Sequence, residues 1–148
     1  MSLLDAQEEK PRSKTLRYTV SGVALVILLS IGIWYFFLRY LSEKRTVASF
    51  MDAVVAEQFE AAYQIWNPRG SYTYQDFLAD WSVTGFYGPI KSYLIYSARS
   101  TGGASGTVVV VEVSPEPTFP AQQDPRSSRN RVVSIWVEGK DLSLSFAP

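Results

Sequence analysis

The sequence predicts an α+β domain carried on one N-terminal transmembrane helix, and three features of the 148-residue chain lead to this fold class. No charged residue occurs between Arg17 and Arg39. Apolar residues then recur with helical spacing, and from Lys91 onward they alternate with polar residues, as in strands. These features divide the chain into a polar arm, a transmembrane helix and a C-terminal domain, at residues 1–17, 18–39 and 40–148.

The transmembrane helix is predicted from the run YTVSGVALVILLSIGIWYFFL at residues 18–38. As a helix this run would reach about 31 Å, close to the thickness of a bilayer's hydrocarbon core. A cleaved signal peptide is the alternative. The run exceeds the roughly 7–15 apolar residues of a signal core and ends in bulky residues rather than a small-residue cleavage site, so the sequence favours a retained anchor.

Aromatic residues gather at the C-terminal end of this run, where amphipathic rings favour the headgroup level of a bilayer. Trp34, Tyr35 and Phe36 are therefore predicted to lie at the membrane interface, and they are candidate contacts for a partner protein. Four basic residues precede the run and three follow it, a bias that places the N-terminus in the cytoplasm. A short polar arm before a single span has the layout of a signal anchor, which leaves the domain outside the cytoplasm.

The composition argues against several classes of function. Lysine and arginine total 14, as do aspartate and glutamate, and the net charge of zero argues against a nucleic-acid partner. The chain contains no cysteine and no histidine, so disulfides and thiolate metal sites are excluded. No carboxylate cluster has the loop spacing of a calcium site, and Gly102-Gly103 joins two strands rather than opening a helix. The sequence predicts no metal and no cofactor.

Three helices are predicted at the start of the domain, each with an apolar stripe. The stripes contain Val47, Phe50, Met51, Val54 and Val55 in the first helix, Phe59, Ala62, Tyr63 and Trp66 in the second, and Phe77, Leu78 and Trp81 in the third. Thr73 and Asp76 approximate a capping box, which predicts the start of the third helix.

Two β-hairpins are predicted after the helices, from alternating aromatic and β-branched residues. Their strands are Lys91–Ser100 with Ser105–Ser114, and Arg131–Glu138 with Leu142–Phe146. In the last strand, Leu142, Leu144 and Phe146 are expected to point inward, and Ser143 and Ser145 outward. Helices followed by antiparallel strands indicate helices packed on one face of a curved four-stranded sheet.

The segment between the hairpins, residues 115–130, contains four prolines. Proline cannot donate to a strand ladder, so this segment is predicted to be a surface loop, either disordered or used to contact a partner. Arg126, Arg129 and Arg131 cluster at its end. They are the best exposed candidates for binding an acidic partner or lipid headgroups.

Three runs of the chain, AEQFEAAYQIWNP, YTYQDFLADW and GFYGPIKSYLIYSA, together resemble the opening of the cystatin-like cone domains related to nuclear transport factor two. The spacing of Phe59, Tyr63 and Trp66 and the Gly-Pro-Ile entry to the first strand at residues 88–90 carry the resemblance. It implies helices that cradle a bent four-stranded sheet. Small single-span bacterial membrane proteins with such a domain, often of unknown function, are similar, which implies an inner-membrane anchor and a periplasmic domain.

Members of that fold include enzymes that place acids and tyrosines inside the cone. The candidates in this chain are Asp76, Asp80 and Glu112. A buried carboxylate with a raised pKa can act as a general base, but the pattern favours solvated helix acids and a glutamate on a strand face. We therefore expect the protein not to be an enzyme.

The leading hypothesis is a non-catalytic accessory or stabilising subunit of a larger bioenergetic or transport complex, with integral membrane proteins and the lipid bilayer as its partners. The alternative is an extracytoplasmic module that holds an apolar small molecule or lipid in the cone cavity. Purification in mild detergent distinguishes them, because proteins would accompany the first and a lipid or quinone the second.

Overall fold

The computed structural model describes residues 14–100 and 102–148. The chain divides into two compact units, Met1–Arg39 and Tyr40–Pro148. The first thirteen residues of the predicted polar arm lie outside the described residues. In chain order the elements are α1 (Lys14–Leu38), α2 (Leu41–Val55), α3 (Phe59–Trp66), α4 (Tyr74–Trp81), β1 (Ser92–Arg99), β2 (Gly106–Ser114), β3 (Arg131–Glu138) and β4 (Leu144–Phe146).

Helix α1 exposes its apolar side chains along its whole length. It has 25 residues, and none of them is buried. The hydroxyl of Ser30 donates to the carbonyl oxygen of Val26 at 2.8 Å, so this polar group is satisfied within the helix. Among the described residues, one helical segment, near the N-terminus, is long and apolar enough to span a membrane.

The second unit has the predicted α+β architecture, with three α-helices before a four-stranded antiparallel sheet. The strand order is β1-β2-β3-β4, so each strand pairs with its neighbour in sequence. Ile95 of β1 lies opposite Val111 of β2, and Val111 lies opposite Val133 of β3. The register of β1 shifts between Ile95 and Ser97, which leaves Tyr96 as a bulge. Both predicted hairpins are confirmed.

The core lies between α2 and one face of the sheet. Alternate residues of β2 and β3 are buried, among them Val109, Val111, Ile135 and Val137, each with 0% of its surface exposed. Phe50 of α2 is also fully buried. Burial of each such side chain contributes about 1.5–3 kcal/mol relative to an exposed position, so this strand alternation fixes which face of the sheet the helices cover.

Helix α4 begins at a capping box, as the sequence predicts. The Thr73 hydroxyl accepts the Asp76 backbone N–H at 3.2 Å, and the Thr73 backbone N–H donates to Asp76 Oδ2 at 2.8 Å. Two backbone donors that would otherwise lack partners at the helix start are thus satisfied. The cap fixes where α4 begins and hence which of its residues face the core.

The predicted start of the last strand is wrong by two residues. Leu142 has a φ of 56°, in the left-handed region, so it belongs to the turn and β4 begins only at Leu144. Ser143 is buried rather than pointing outward, and its hydroxyl donates to Asp141 Oδ1 at 2.8 Å. The turn is longer than Gly139-Lys140-Asp141 because two further residues are needed to bring the chain back against Glu138, whose N–H donates to the Ser143 carbonyl.

The proline-containing segment 115–130 has local structure of its own. The segment contains one short 3-10 helix, Pro125–Arg129. Pro120, which precedes this helix, is buried. The Ser92 hydroxyl donates to the Glu116 carbonyl oxygen at 2.7 Å, which attaches the start of the segment to β1. The segment is therefore a folded surface loop that carries its arginines in defined positions.

Candidate functional site

The three candidate catalytic carboxylates do not converge on a common site. Asp76 is exposed in the cap of α4. Asp80 Oδ2 accepts a hydrogen bond from the Tyr72 hydroxyl at 2.7 Å. Glu112 alternates with buried valines of β2, so it lies on the sheet face away from the core, where it accepts from Asn130 Nδ2 at 2.7 Å. Each carboxylate is thus engaged by a neighbour of its own.

The electrostatics of Asp76 differ from those of a general base. Hydrogen bonds from the Thr73 backbone and side chain lower the pKa of Asp76, which is the opposite of the shift that a carboxylate base requires. Burial and hydrogen bonding to Asp80 raise the pKa of Tyr72, so its proton is held firmly. Hydrogen bonding to Glu112 likewise raises the pKa of Tyr96. Each of the two tyrosines is thus paired with one carboxylate.

Large aromatic side chains fill the space between the helices and the sheet. The ring of Phe50 lies 5.0 Å from that of Trp66 and 4.9 Å from that of Trp81, measured between centroids. Trp81 also stacks on Phe146 of β4 at 5.9 Å with an interplanar angle of 2°. Offset-stacked and edge-on rings of this kind add packing energy beyond their buried area. These side chains occupy much of the interior, and an open cavity of about 280 Å³ remains next to Trp66, Tyr72 and Phe146.

The three predicted partner-binding arginines have different surroundings. Arg126 donates to Asp124 at 2.6 Å through Nη2, and Arg129 forms an ion pair with Glu116. Hydrogen bonds from the Arg126 side chain and backbone lower the pKa of Asp124 to about 2. Arg131 forms no ion pair with any carboxylate of the described residues. Three arginines and the two carboxylates Asp124 and Glu116 leave one net positive charge. That charge is on Arg131, since the other two arginines are paired.

Arg131 lies over the exposed face of an aromatic ring. Its guanidinium carbon is 5.3 Å from the centroid of the Phe86 ring, a cation–π distance. Phe86 is 65% exposed, the largest fraction among the bulky apolar side chains described from Tyr40 onward. We call this pair the Phe86–Arg131 surface. It combines a large apolar ring with a cation, the two side-chain types that most often anchor protein interfaces.

The loop after α4 holds Phe86 in place through its backbone. The Phe86 N–H donates to the Ala79 carbonyl and the Tyr87 N–H to the Asp80 carbonyl, both at 2.8 Å, so the loop uses two free carbonyls at the end of α4. Gly88 lies so close to Ser82 that a Cβ there would overlap the Ser82 carbonyl oxygen. The exposed ring is therefore presented by a tightly folded loop.

A cavity of about 470 Å³ adjoins this surface. It is lined on one side by Tyr87 and Pro89, which follow Phe86 in the loop, and on the other by Asn130 and Arg131, which lead into β3. The cavity is open to solvent and is large enough for a side chain or two of another protein. The cavity therefore adjoins the Phe86–Arg131 surface through Arg131.

The predicted interface aromatics of α1 are all exposed. Phe36, Trp34 and Tyr35 expose 79%, 67% and 58% of their surfaces, respectively. The guanidinium carbon of Arg39 lies 5.6 Å from the centroid of the Tyr35 ring. Aromatic rings next to a basic residue at the end of an apolar helix are typical of a membrane–water boundary.

Phe86 is the candidate site residue that sequence reasoning missed. In the sequence it belongs to the run GFYGP, where an aromatic residue between two glycines suggests either a turn or a core residue. Whether its ring is covered depends on the fold-back of the loop onto α4, which is a tertiary contact. The one available signal was the pair of glycines at positions 85 and 88, which indicates close backbone approach.

Comparison of the chain with protein-family models, with curated proteins and with solved structures found no match. Its function is therefore proposed from two features described above, the exposed apolar helix α1 and the Phe86–Arg131 surface. Neither feature brings together a nucleophile, a base and a stabiliser of developing charge, and both have the chemistry of binding surfaces.

Proposed function

We propose that this chain is a single-pass membrane protein that serves as a non-catalytic accessory or stabilising subunit of a larger bioenergetic or transport complex. The observation that carries this proposal is the continuous apolar surface of α1, of whose 25 residues none is buried. Soluble monomers rarely expose apolar patches of more than a few hundred Å². A bilayer, with or without neighbouring helices, would cover such a surface.

The proposed orientation places the N-terminus in the cytoplasm and the domain outside it. The support is the excess of basic residues before the apolar run, four against three after it. In a bacterium this corresponds to an inner-membrane anchor with a periplasmic domain.

For the domain we propose the cystatin-like cone fold that the sequence resembles. Three helices before a four-stranded antiparallel sheet, with strands paired in sequence order, support this assignment. Folds of one family support many functions, so the fold adds little to the functional proposal.

A protein partner is a better fit to the domain than an apolar ligand held inside the cone. A ligand inside the cone would have to share its interior with Phe50, Trp66 and Trp81, and the cavity that remains beside Trp66 is about 280 Å³. The Phe86–Arg131 surface, in contrast, is exposed and faces outward from the core. Subunit association is therefore the function that the described side chains support best.

The proposal is tested by purifying the affinity-tagged full chain in mild detergent from the cells that naturally make it, followed by mass spectrometry. We expect integral membrane proteins to accompany the chain at a fixed stoichiometry. A matched variant in which residues 18–38 are replaced by an unrelated apolar helix shows how much of the association depends on the native span. Recovery of the chain with a lipid or quinone alone would instead support the ligand-binding alternative.

A further inference from the structure

We infer that the Phe86–Arg131 surface is the docking site for an acidic segment of a partner protein, whose aspartate or glutamate side chain pairs with Arg131 while an apolar side chain covers Phe86. This inference rests on the proposed function and specifies where on the domain the partner binds. It also gives the chemistry of the partner's contact segment.

The charge distribution favours a carboxylate at Arg131. The other two arginines of the cluster are already paired, Arg126 with Asp124 and Arg129 with Glu116. Arg131 instead lies over the face of a phenyl ring, at 5.3 Å, and forms no ion pair with a carboxylate of the described residues. Its planar guanidinium therefore keeps its hydrogen-bond donors available for a bidentate pair with an incoming carboxylate.

The apolar component argues for a protein rather than a lipid headgroup. Anionic membranes attract segments that carry several unneutralised cations, each contributing about 1 kcal/mol. This cluster offers one net charge beside a ring that is 65% exposed. A ring and one cation, with a recess of about 470 Å³ beside them, fit an acidic–apolar peptide segment better than they fit a charged surface.

The surface is also prepared for binding before a partner arrives. Two backbone hydrogen bonds of 2.8 Å hold the loop at Phe86 and Tyr87, and the cation–π contact holds the guanidinium over the ring. Groups that are ordered in the free protein lose less conformational entropy on association. The ordered Phe86–Arg131 pair would therefore lose little conformational entropy when a partner binds.

The experiment uses photo-crosslinking of the full chain in native membranes. The substitution Phe86→p-benzoylphenylalanine keeps a phenyl ring at the site, and Leu94→p-benzoylphenylalanine, at an exposed position of β1, is the matched control. We expect position 86 to crosslink to a protein segment with an aspartate or glutamate next to the crosslinked residue. Adding Arg131→Ser should reduce that product about tenfold, whereas adding Arg99→Ser, at an exposed position at the end of β1, should leave it nearly unchanged.

Three outcomes would overturn the docking site. They are crosslinks from position 86 to lipid alone, crosslinks to a segment without a carboxylate, and a crosslink yield that Arg131→Ser does not change. If any of these occurs while membrane proteins still co-purify with the parent chain, the accessory role stands and the docking site is wrong. If nothing co-purifies either, the proposed function itself fails.

Discussion

Two half-buried tyrosines of the domain donate hydrogen bonds from their hydroxyls to carboxylates. Tyr72 donates to Asp80 and Tyr93 donates to Asp52, both at 2.7 Å. Burial is the main cause that raises the pKa of each tyrosine, and the carboxylate partner adds to it. These pairs attach the segment before α4 to the last turn of α4, and β1 to α2.

The raised pKa values predict a loss of stability at alkaline pH. Below about pH 10 these tyrosines are protonated in both states. Above it the unfolded chain ionises first while the folded chain keeps its protons, so the free energy of unfolding falls as pH rises. We expect the melting temperature of the detergent-solubilised chain to fall less between pH 9 and 11 in the double variant Tyr72→Phe, Tyr93→Phe than in the parent.

The control for this prediction is Tyr74→Phe, which removes a half-buried hydroxyl that has no carboxylate partner among the described residues. It should retain the alkaline dependence of the parent. At neutral pH, Tyr72→Phe should also lower the stability by about 1 kcal/mol, the net worth of one hydrogen bond. Identical pH profiles for the parent and the double variant would contradict the prediction.

At the scale of single elements, α4 is the clearest case of a local sequence signal that decides structure. Thr73 and Asp76 satisfy each other's backbone donors, and the eight-residue helix that follows places Phe77 and Trp81 in the core. Such a short helix is marginal by itself, so its cap and its buried face are both needed.

Removing the cap should therefore weaken the whole domain. We expect Thr73→Ala to lower the free energy of unfolding by about 1 kcal/mol, the usual cost of losing an N-cap side chain. Urea unfolding of the full chain in detergent, followed by tryptophan fluorescence, measures this directly. Thr73→Ser retains the hydroxyl and serves as the control, and an unfolding midpoint for Thr73→Ala equal to that of Thr73→Ser would refute the cap's role.

Local signals predicted the elements well and their ends less well. The strands of both hairpins follow from alternation, because one buried face fixes the register. The length of the last turn could not be predicted from alternation, because it depends on Leu142 adopting a left-handed conformation that leucine rarely takes. Contacts with the rest of the fold hold it there, and no short pattern encodes them.

For the whole molecule, the prediction concerns topology. Because residues 18–38 carry no charge, and four basic residues precede them while three follow, we expect Pro148 to lie outside the cytoplasm. A reporter that is active only outside the cytoplasm should work when fused after Pro148. A second reporter, active only in the cytoplasm, is the matched control and should stay silent; activity of the second reporter alone would invert the proposed orientation.

The two candidate binding features differ in how far the sequence could reveal them. The apolar part of α1 is one continuous run, so its exposed apolar surface was predictable from residues 18–38 alone. The Phe86–Arg131 surface joins the loop after α4 to the first residue of β3, and only the folded domain brings them together. The arginine could be suspected from the local cluster, but its partner ring could not.

The two edges of the sheet bear on how copies of this chain behave toward one another. Unpaired strand edges invite edge-to-edge pairing and aggregation, which short or bulged edge strands discourage. Here β4 has only three residues, and β1 is interrupted by the bulge at Tyr96. Proteins tethered in a bilayer collide often in two dimensions. Edge strands of this kind would keep such domains from pairing edge to edge, so that contacts with other proteins depend on side chains.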